Sequence, residues 1–216
     1  MTHPADGGSE LVDHSALNRQ TYDRIARQYA DRQVELQSAD THWLDKLETA
    51  FVSGLPLGAL VADLGCGPAF DGRRLAGQGL EVFGMDFSAG MLSVASENLE
   101  GRVLQADLRA LPIASEHVDG IWNVASLLHV PSADTQQVLC EFRRVMKRSG
   151  SLVLVTAVGD SSRHEAVPYV ADELRWFVYR DPASLRAQLK EAGFSIRIDE
   201  EIRGGRHWWT VLAHSV

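Results

Sequence analysis

The 216-residue sequence is short of cysteine, of basic charge and of long apolar runs, and each deficit removes a class of protein. Its two cysteines, Cys66 and Cys140, make no disulfide framework, and nothing has zinc-ligand spacing, so no metal is expected. Lysine and arginine number 21 against 29 aspartates and glutamates, a formal net charge of −8. An acidic surface repels phosphate backbones, which disfavours nucleic acid as a partner. The densest basic stretch, Arg143-Arg144-Val145-Met146-Lys147-Arg148, closes an apolar-periodic segment, where cations complement a helix dipole and need no ligand. No apolar stretch approaches the roughly 20 residues of a membrane span. The first ten residues, MTHPADGGSE, carry neither the basic nor the apolar part of a signal peptide, so a loose tail over residues 1–14 and a cytoplasmic protein are expected. The remainder, 45% hydrophobic and 23% charged, suits one soluble domain over residues 15–216 with a sizeable core.

Two amphipathic helices open that domain and form a cap over residues 15–55. Leu17, Tyr22, Ile25, Ala26 and Tyr29 contain the i, i+3, i+4, i+7 stripe, and Trp43, Leu44, Leu47 and Phe51 repeat it after a capping Asp40. Beyond Gly54-Leu55-Pro56-Leu57-Gly58 strands alternate with helices. The predicted strands are Leu60 to Leu64, Glu81 to Met85, Arg102 to Ala106, Val118 to Ala125 and Ser151 to Val158. The helix before the fifth carries Val138, Leu139, Phe142, Val145 and Met146 on one face and is expected to stop at Ser149-Gly150. This rhythm predicts an α/β fold with a parallel sheet covered on both faces. Residues 159–180 break it and read as an irregular lid. A helix from Asp181-Pro182 to Gly193 follows, then two runs around Arg203-Gly204-Gly205-Arg206 that form an antiparallel hairpin.

The chemistry concentrates after the first strand, in VADLGCGPAF. A strand, Gly65-x-Gly67 and a helix let the backbone approach a ligand and offer free N–H groups. Dinucleotide binding requires G-x-G-x-x-G, and Phe70 stands where the third glycine belongs, which counts against NAD. The acids give the motif its meaning. Asp63 lies in the first strand; Asp86 ends the second, about 20 residues past the glycines, where an acid takes both ribose hydroxyls. Asp107 ends the third, and with Leu108 beside it suits an adenine: carboxylate to the exocyclic amine, leucine against the ring. Asp86 and Asp107 as plain helix caps, and Cys66 as a small buried filler, are the alternative readings.

VADLGCGPAFDGRRLA resembles the first motif of the class I S-adenosylmethionine-dependent methyltransferases, GMDFSAGML their second, QADLRALP their third and VDGIWNVASLLHVP their fourth. FRRVMKRSGSLVLVT and LRAQLKEAGF resemble the segments that follow, so the likeness runs over about residues 15 to 216. The resemblance implies a Rossmann-like, doubly wound, mostly parallel seven-stranded sheet with an antiparallel C-terminal hairpin strand. It implies S-adenosylmethionine as cofactor, with S-adenosylhomocysteine as product. Gly65, Cys66 and Gly67 would lie under its methionine part, with Asp63 orienting loop and amine. Asp86 would hold the ribose with Phe87 beside the adenine, and Asp107 and Leu108 would bracket that ring. Asn123 would face the methyl, and Tyr22 and Tyr29 belong to the helix that closes over the cofactor. Ala69 departs from the family's third glycine, which bears on cofactor position.

Three histidines are candidate bases: His129 after the fourth strand, His207 opening the last, and His164 in the lid. Asn123-Val124-Ala125-Ser126 replaces the aromatic tetrapeptide of adenine- and glutamine-methylating relatives. Tyr169, Trp176, Phe177, Tyr179 and Trp43 could line a pocket for an aromatic or apolar small molecule. The expectation is therefore methyl transfer to an oxygen, nitrogen, sulfur or carbon of a small metabolite by a monomer or homodimer. The alternatives are a tRNA or protein methyltransferase and a non-catalytic cofactor-binding module, whose acceptor cavity would be plugged.

Overall fold

A computed structural model describes residues 13–37 and 44–216. The described residues form nine strands: β1 Leu60–Leu64, β2 Glu81–Asp86, β3 Val103–Gln105, β4 Val118–Val124, β5 Met146–Ala157, β6 Ser162–Ala166, β7 Leu174–Val178, β8 Phe194–Ile202 and β9 Trp208–Ser215. Seven form one sheet in the order β3-β2-β1-β4-β5-β9-β8; β6 and β7 pair separately. Neighbours from β3 to β5 are parallel, whereas β9 runs antiparallel to both β5 and β8. This is the predicted doubly wound sheet with its closing hairpin. Strand order reverses between β1 and β4, so a crevice opens beyond their carboxyl ends, where α/β folds bind ligands.

Successive side chains on a strand point to opposite faces, and a sheet buried on both must be apolar on both. Val153 and Val155 of β5 therefore pack to one side, and Leu152 and Leu154 to the other. The first side receives α2 (Asp45–Ser53), α3 (Phe70–Ala76) and α4 (Ala89–Asn98). There Phe51 meets Trp122 edge to face with centroids 5.3 Å apart, both fully buried. The second side receives α5 (Thr135–Val145) and α6 (Pro182–Glu191) through Val138, Phe142, Leu185 and Leu189. Each such side chain contributes about 1.5–3 kcal/mol by leaving water. Asp181 caps α6 by accepting the Ser184 N–H at 2.9 Å, with Pro182 in the first turn as predicted.

The structure departs from the sequence reading in two places. The helix expected to run to Ser149 ends at Val145, and β5 starts at Met146. Lys147 to Gly150 bulge out of register between the pairs Val118↔Met146 and Gly120↔Ser151, with Ser149 at φ +61°. The ammonium of Lys147 turns back to Asp119 at 2.9 Å. The second departure is the lid, which is not irregular: β6 and β7 form an antiparallel ladder from Ser162↔Val178 to Ala166↔Leu174. It lacks the alternation of a half-buried strand because β6 is almost wholly exposed.

The lid is tied to α1 (His14–Gln37) by side-chain bonds. Asn18 donates to the Trp176 carbonyl at 3.0 Å and accepts the Trp176 N–H at 2.6 Å, and Thr21 donates to the Leu174 carbonyl at 2.7 Å. On its other side α1 grips α4: Asp23 accepts from the Ser88 hydroxyl at 2.7 Å and the Gly90 N–H at 2.9 Å. Only glycine fits at position 90, since a Cβ there would lie 2.5 Å from the Asp23 carbonyl. One helix thus bridges lid and nucleotide-type loop. The expected tail lies, up to residue 12, outside the described residues, as do Asp40 and Trp43. Among the described residues no helix is long and apolar enough to cross a membrane.

Candidate active site

After β1 the chain turns through Gly65 at φ +70° and Gly67 at φ +51° into α3. The N–H groups of Gly65 and Cys66 both donate to the Met85 carbonyl, at 2.7 and 2.9 Å. Gly65 is required for a reason the motif alone does not reveal: a Cβ there would fall 1.9 Å from the Ser126 hydroxyl oxygen. Ala69 sits left-handed at φ +60°, immediately before α3. An L-residue pays roughly 1–2 kcal/mol for that conformation, so this departure from glycine strains the loop while the buried Ala69 methyl joins the core. Burial, followed by the charges of Asp63 and Asp86, pushes the Cys66 thiol well up, so it stays protonated.

Asp86 ends β2 and accepts the Gly67 N–H at 2.9 Å and the Ser88 N–H at 2.8 Å. Burial raises its pKa, while the N–H groups of Ser88, Gly67 and Phe87 pull it back. At the end of β3, Asp107 is held by the guanidinium of Arg109, with Nη2 at 2.6 Å and Nε at 3.0 Å, and by the Arg109 N–H at 2.9 Å. Burial opposes its ionisation, but the Arg109 bonds and charge outweigh it and hold the carboxyl below its usual range. Arg109 also reaches Asp134 at 3.0 Å, locking the loop after β3 to the start of α5.

Asp63 and Asn123 stand apart from this arrangement. Asp63 is 3% exposed and its Oδ2 has no hydrogen-bond partner. Burial first, then the charge of Asp71, drives its pKa well above the carboxylate range. Asn123 is wholly buried and donates to the Leu64 carbonyl at 2.8 Å, joining β4 to β1. Both lie behind the loop and neither reaches the cavity described next.

A cavity of about 750 Å³ opens over the strand ends, within the roughly 300–1,000 Å³ of small-molecule sites. Its wall on the β1–β3 side contains Gly65, Cys66, Gly67, Asp86, Phe87, Asp107 and Leu108. Its roof is Tyr22 and Tyr29 of α1, whose rings meet edge to face at 5.8 Å. Its far wall comes from Tyr169, Arg175 and Phe177 of the lid, Arg206 of the β8–β9 turn and Trp208 of β9. Trp176 does not join it; its ring stacks on His14 at 3.8 Å.

His129 also lines the cavity, and its tautomer follows from its partners. Nδ1 lies 2.8 Å from the Trp176 carbonyl, which can only accept, and 3.2 Å from the Asn18 amide nitrogen, which itself donates to that carbonyl, so Nδ1 carries the hydrogen. Nε2 therefore accepts from the Tyr22 hydroxyl at 2.8 Å. Burial lowers the His129 pKa to about 4; the Trp176 carbonyl opposes this, and Arg175 and Arg206 add to it. Tyr22 is pushed up to about 12 by burial. Both are neutral at pH 7. The other two histidines lie elsewhere: His164 packs edge to face on Trp176 at 4.8 Å, and Nε2 of His207 lies 2.9 Å from Glu201. Neither lines the cavity. Asn18, Arg109, Arg175 and Arg206 are the site residues that the sequence did not single out. Asn18 sits in α1, Arg109 in the loop after β3, Arg175 in β7 and Arg206 in the β8–β9 turn, and each acquires its place in the site only through partners distant in sequence or through the fold of its own loop.

Residues 62–154 match the family described as a methyltransferase domain. Over 105 residues the chain is 36% identical to the malonyl-[acyl-carrier protein] O-methyltransferase of Enterobacter lignolyticus, an alignment spanning 48% of this chain and 41% of that one. It is 30% identical over 148 residues to the demethylmenaquinone methyltransferase of Tropheryma whipplei, spanning 65% of this chain and 59% of that one. The chain thus spans about half the length of these curated relatives. In fold it is similar to magnesium protoporphyrin IX methyltransferase from Synechocystis, solved with bound S-adenosylmethionine, at a TM-score of 0.72 and 21% identity over 96% of this chain and 100% of that one. The motif-bearing stretch, residues 62–154, thus matches a methyltransferase domain in sequence, and the seven-stranded sheet matches a methyltransferase in fold.

Proposed function

We propose that the protein transfers a methyl group from S-adenosylmethionine to a small-molecule acceptor in the cytoplasm. The observation that carries this reading is the bracket of Gly67 and Asp86 in the wall of an open cavity that continues to a separate, lid-built wall. A carboxylate offers about four acceptor positions, and the N–H groups of Gly67, Phe87 and Ser88 leave room on Asp86 for a ribose hydroxyl. Phe87 and Leu108 provide apolar surface for a purine. The residues present therefore fit the cofactor. Asp107 enters with less freedom than the sequence implies, because Arg109 takes much of its accepting capacity.

Held by these residues, the cofactor would supply an electrophilic methyl on a positively charged sulfur, to be taken by a nucleophile's lone pair while the carbon–sulfur electron pair stays with sulfur. The protein's part is placement, which can supply about 7–11 kcal/mol of the barrier. Tyr22 and Tyr29 roof the cavity and exclude water. At a pKa of about 4 His129 is a weak base at neutral pH; its role is to fix the Tyr22 hydroxyl. A plugged cavity, the mark of a binding module, is not what lies beside Val124, Ala125 and Ser126, which line open space.

The test is calorimetric titration with S-adenosylhomocysteine and with NAD. Micromolar binding of the first alone supports the reading. Binding of NAD alone, or of neither, would refute it.

A further inference from the structure

Arg175 lines the cavity from β7, yet no carboxylate answers it among the described residues. Its cross-strand partner is Glu165, the natural ion pair for a two-stranded ladder. Glu165 is taken: it binds Arg206 at 2.6 Å and Arg163 at 3.1 Å, and the Tyr179 hydroxyl as well. Among the described residues, the Nε of Arg175 is buried without a hydrogen-bond partner, and so is the hydroxyl of Tyr169, another residue of the same wall. Around this guanidinium stand phenols, with the Tyr22 hydroxyl within hydrogen-bonding reach. The second guanidinium of the wall, Arg206, lies 4.4 Å from the Phe177 centroid, and Arg175 lies 5.1 Å from the same ring.

Leaving buried donors unmet is costly, and more so for charged groups. A bare guanidinium also opposes a sulfonium bound in the same cavity, unless an anion lies between them. Two features converge: the unpartnered Nε of Arg175 and the unpartnered phenol of Tyr169. Together they form a receptor for a carboxylate.

Resting on the methyl-transfer reading, we propose that the acceptor carries a carboxylate, received by Arg175 and Tyr169. The carboxylate here is the recognition group; the atom methylated is a separate matter.

The experiment uses the full 216-residue chain saturated with S-adenosylhomocysteine. Benzoate, phenylacetate and indole-3-carboxylate are titrated, each against its primary amide. At least one acid should bind tenfold or more tighter than its amide. R175Q should abolish that preference, R175K should keep part of it, and Y169F should weaken it severalfold, with S-adenosylhomocysteine affinity changed less than threefold throughout. Equal binding of acids and amides, or no binding of any acid, would overturn the receptor. So would a tenfold loss of S-adenosylhomocysteine affinity in both Arg175 variants, since the arginine would then serve the carboxylate of the cofactor itself. Failure of the wild-type protein to bind S-adenosylhomocysteine is a different result: it removes the methyl-transfer reading, and this proposal with it.

Discussion

The Tyr22 hydroxyl donates to Nε2 of His129 across 2.8 Å, linking a helix at the start of the chain to a turn 107 residues later. The bond requires a neutral imidazole. In the unfolded chain His129 titrates near 6.5, and in the fold near 4. Between those values the unfolded state binds the extra proton, so stability rises with pH there and is lost as pH falls from about 6.5 toward 4. Two and a half pH units correspond to roughly 3 kcal/mol. Urea midpoints at pH 7.5 and 4.5 should show this loss in the wild type and a clearly smaller one in His129→Gln. Equal pH dependence in the two proteins would rule out His129 as its source.

Asp86 joins the glycine loop to the end of β2, and in the proposed complex also holds a ribose hydroxyl. Hydrogen bonds to a charged group contribute about 1.5–3 kcal/mol. Asp86→Ala should therefore weaken S-adenosylhomocysteine binding by about 100-fold, read by calorimetry. Affinity within threefold of wild type would remove the ribose assignment.

Gly65→Ala places a methyl against the Ser126 side chain, 1.9 Å from its oxygen and 2.3 Å from its Cβ. Left-handed strain of about 1–2 kcal/mol adds to overpacking of about 1–3 kcal/mol. The second contribution alone should return when Ser126→Gly is combined with it. A double-mutant cycle on thermal unfolding measures the split; full rescue, or none, would contradict it.

Asp63 is a buried carboxyl whose ionised form the fold disfavours. A raised folded pKa makes stability fall as pH rises from the unfolded value of 3.8 through the folded one. Asp63→Asn should accordingly stabilise more at pH 8 than at pH 5, with S-adenosylhomocysteine affinity little changed, because the side chain does not reach the cavity. A tenfold loss of affinity would instead restore the loop-orienting role that the resemblance implies.

Much of this molecule is written locally. The apolar runs that must be buried on both faces, the turn at Gly65 and Gly67, and the acids that end β2 and β3 follow from residue type and spacing, because strand period and chain direction already fix where such residues stand. The sheet and its closing hairpin were legible for that reason. So was the cavity wall built from Gly65 to Leu108.

What required the tertiary structure is everything that depends on who sits opposite. Asp107 reads as a free acid in QADLRALP, yet Arg109 two residues on has folded back to hold it. Asp63 and Asn123 carry the right chemistry in the right strands, but alternation turns them away from the cavity. His129 reads as a base; burial beneath α1 and the lid makes it neutral and gives its lone pair to Tyr22. Arg175 carries no local signal at all, since it lacks an acid partner only because Arg206 and Arg163 reach Glu165 first. Spacing along a chain determines which groups lie on a strand end. Competition among neighbours in three dimensions decides which of them remain free to meet a ligand.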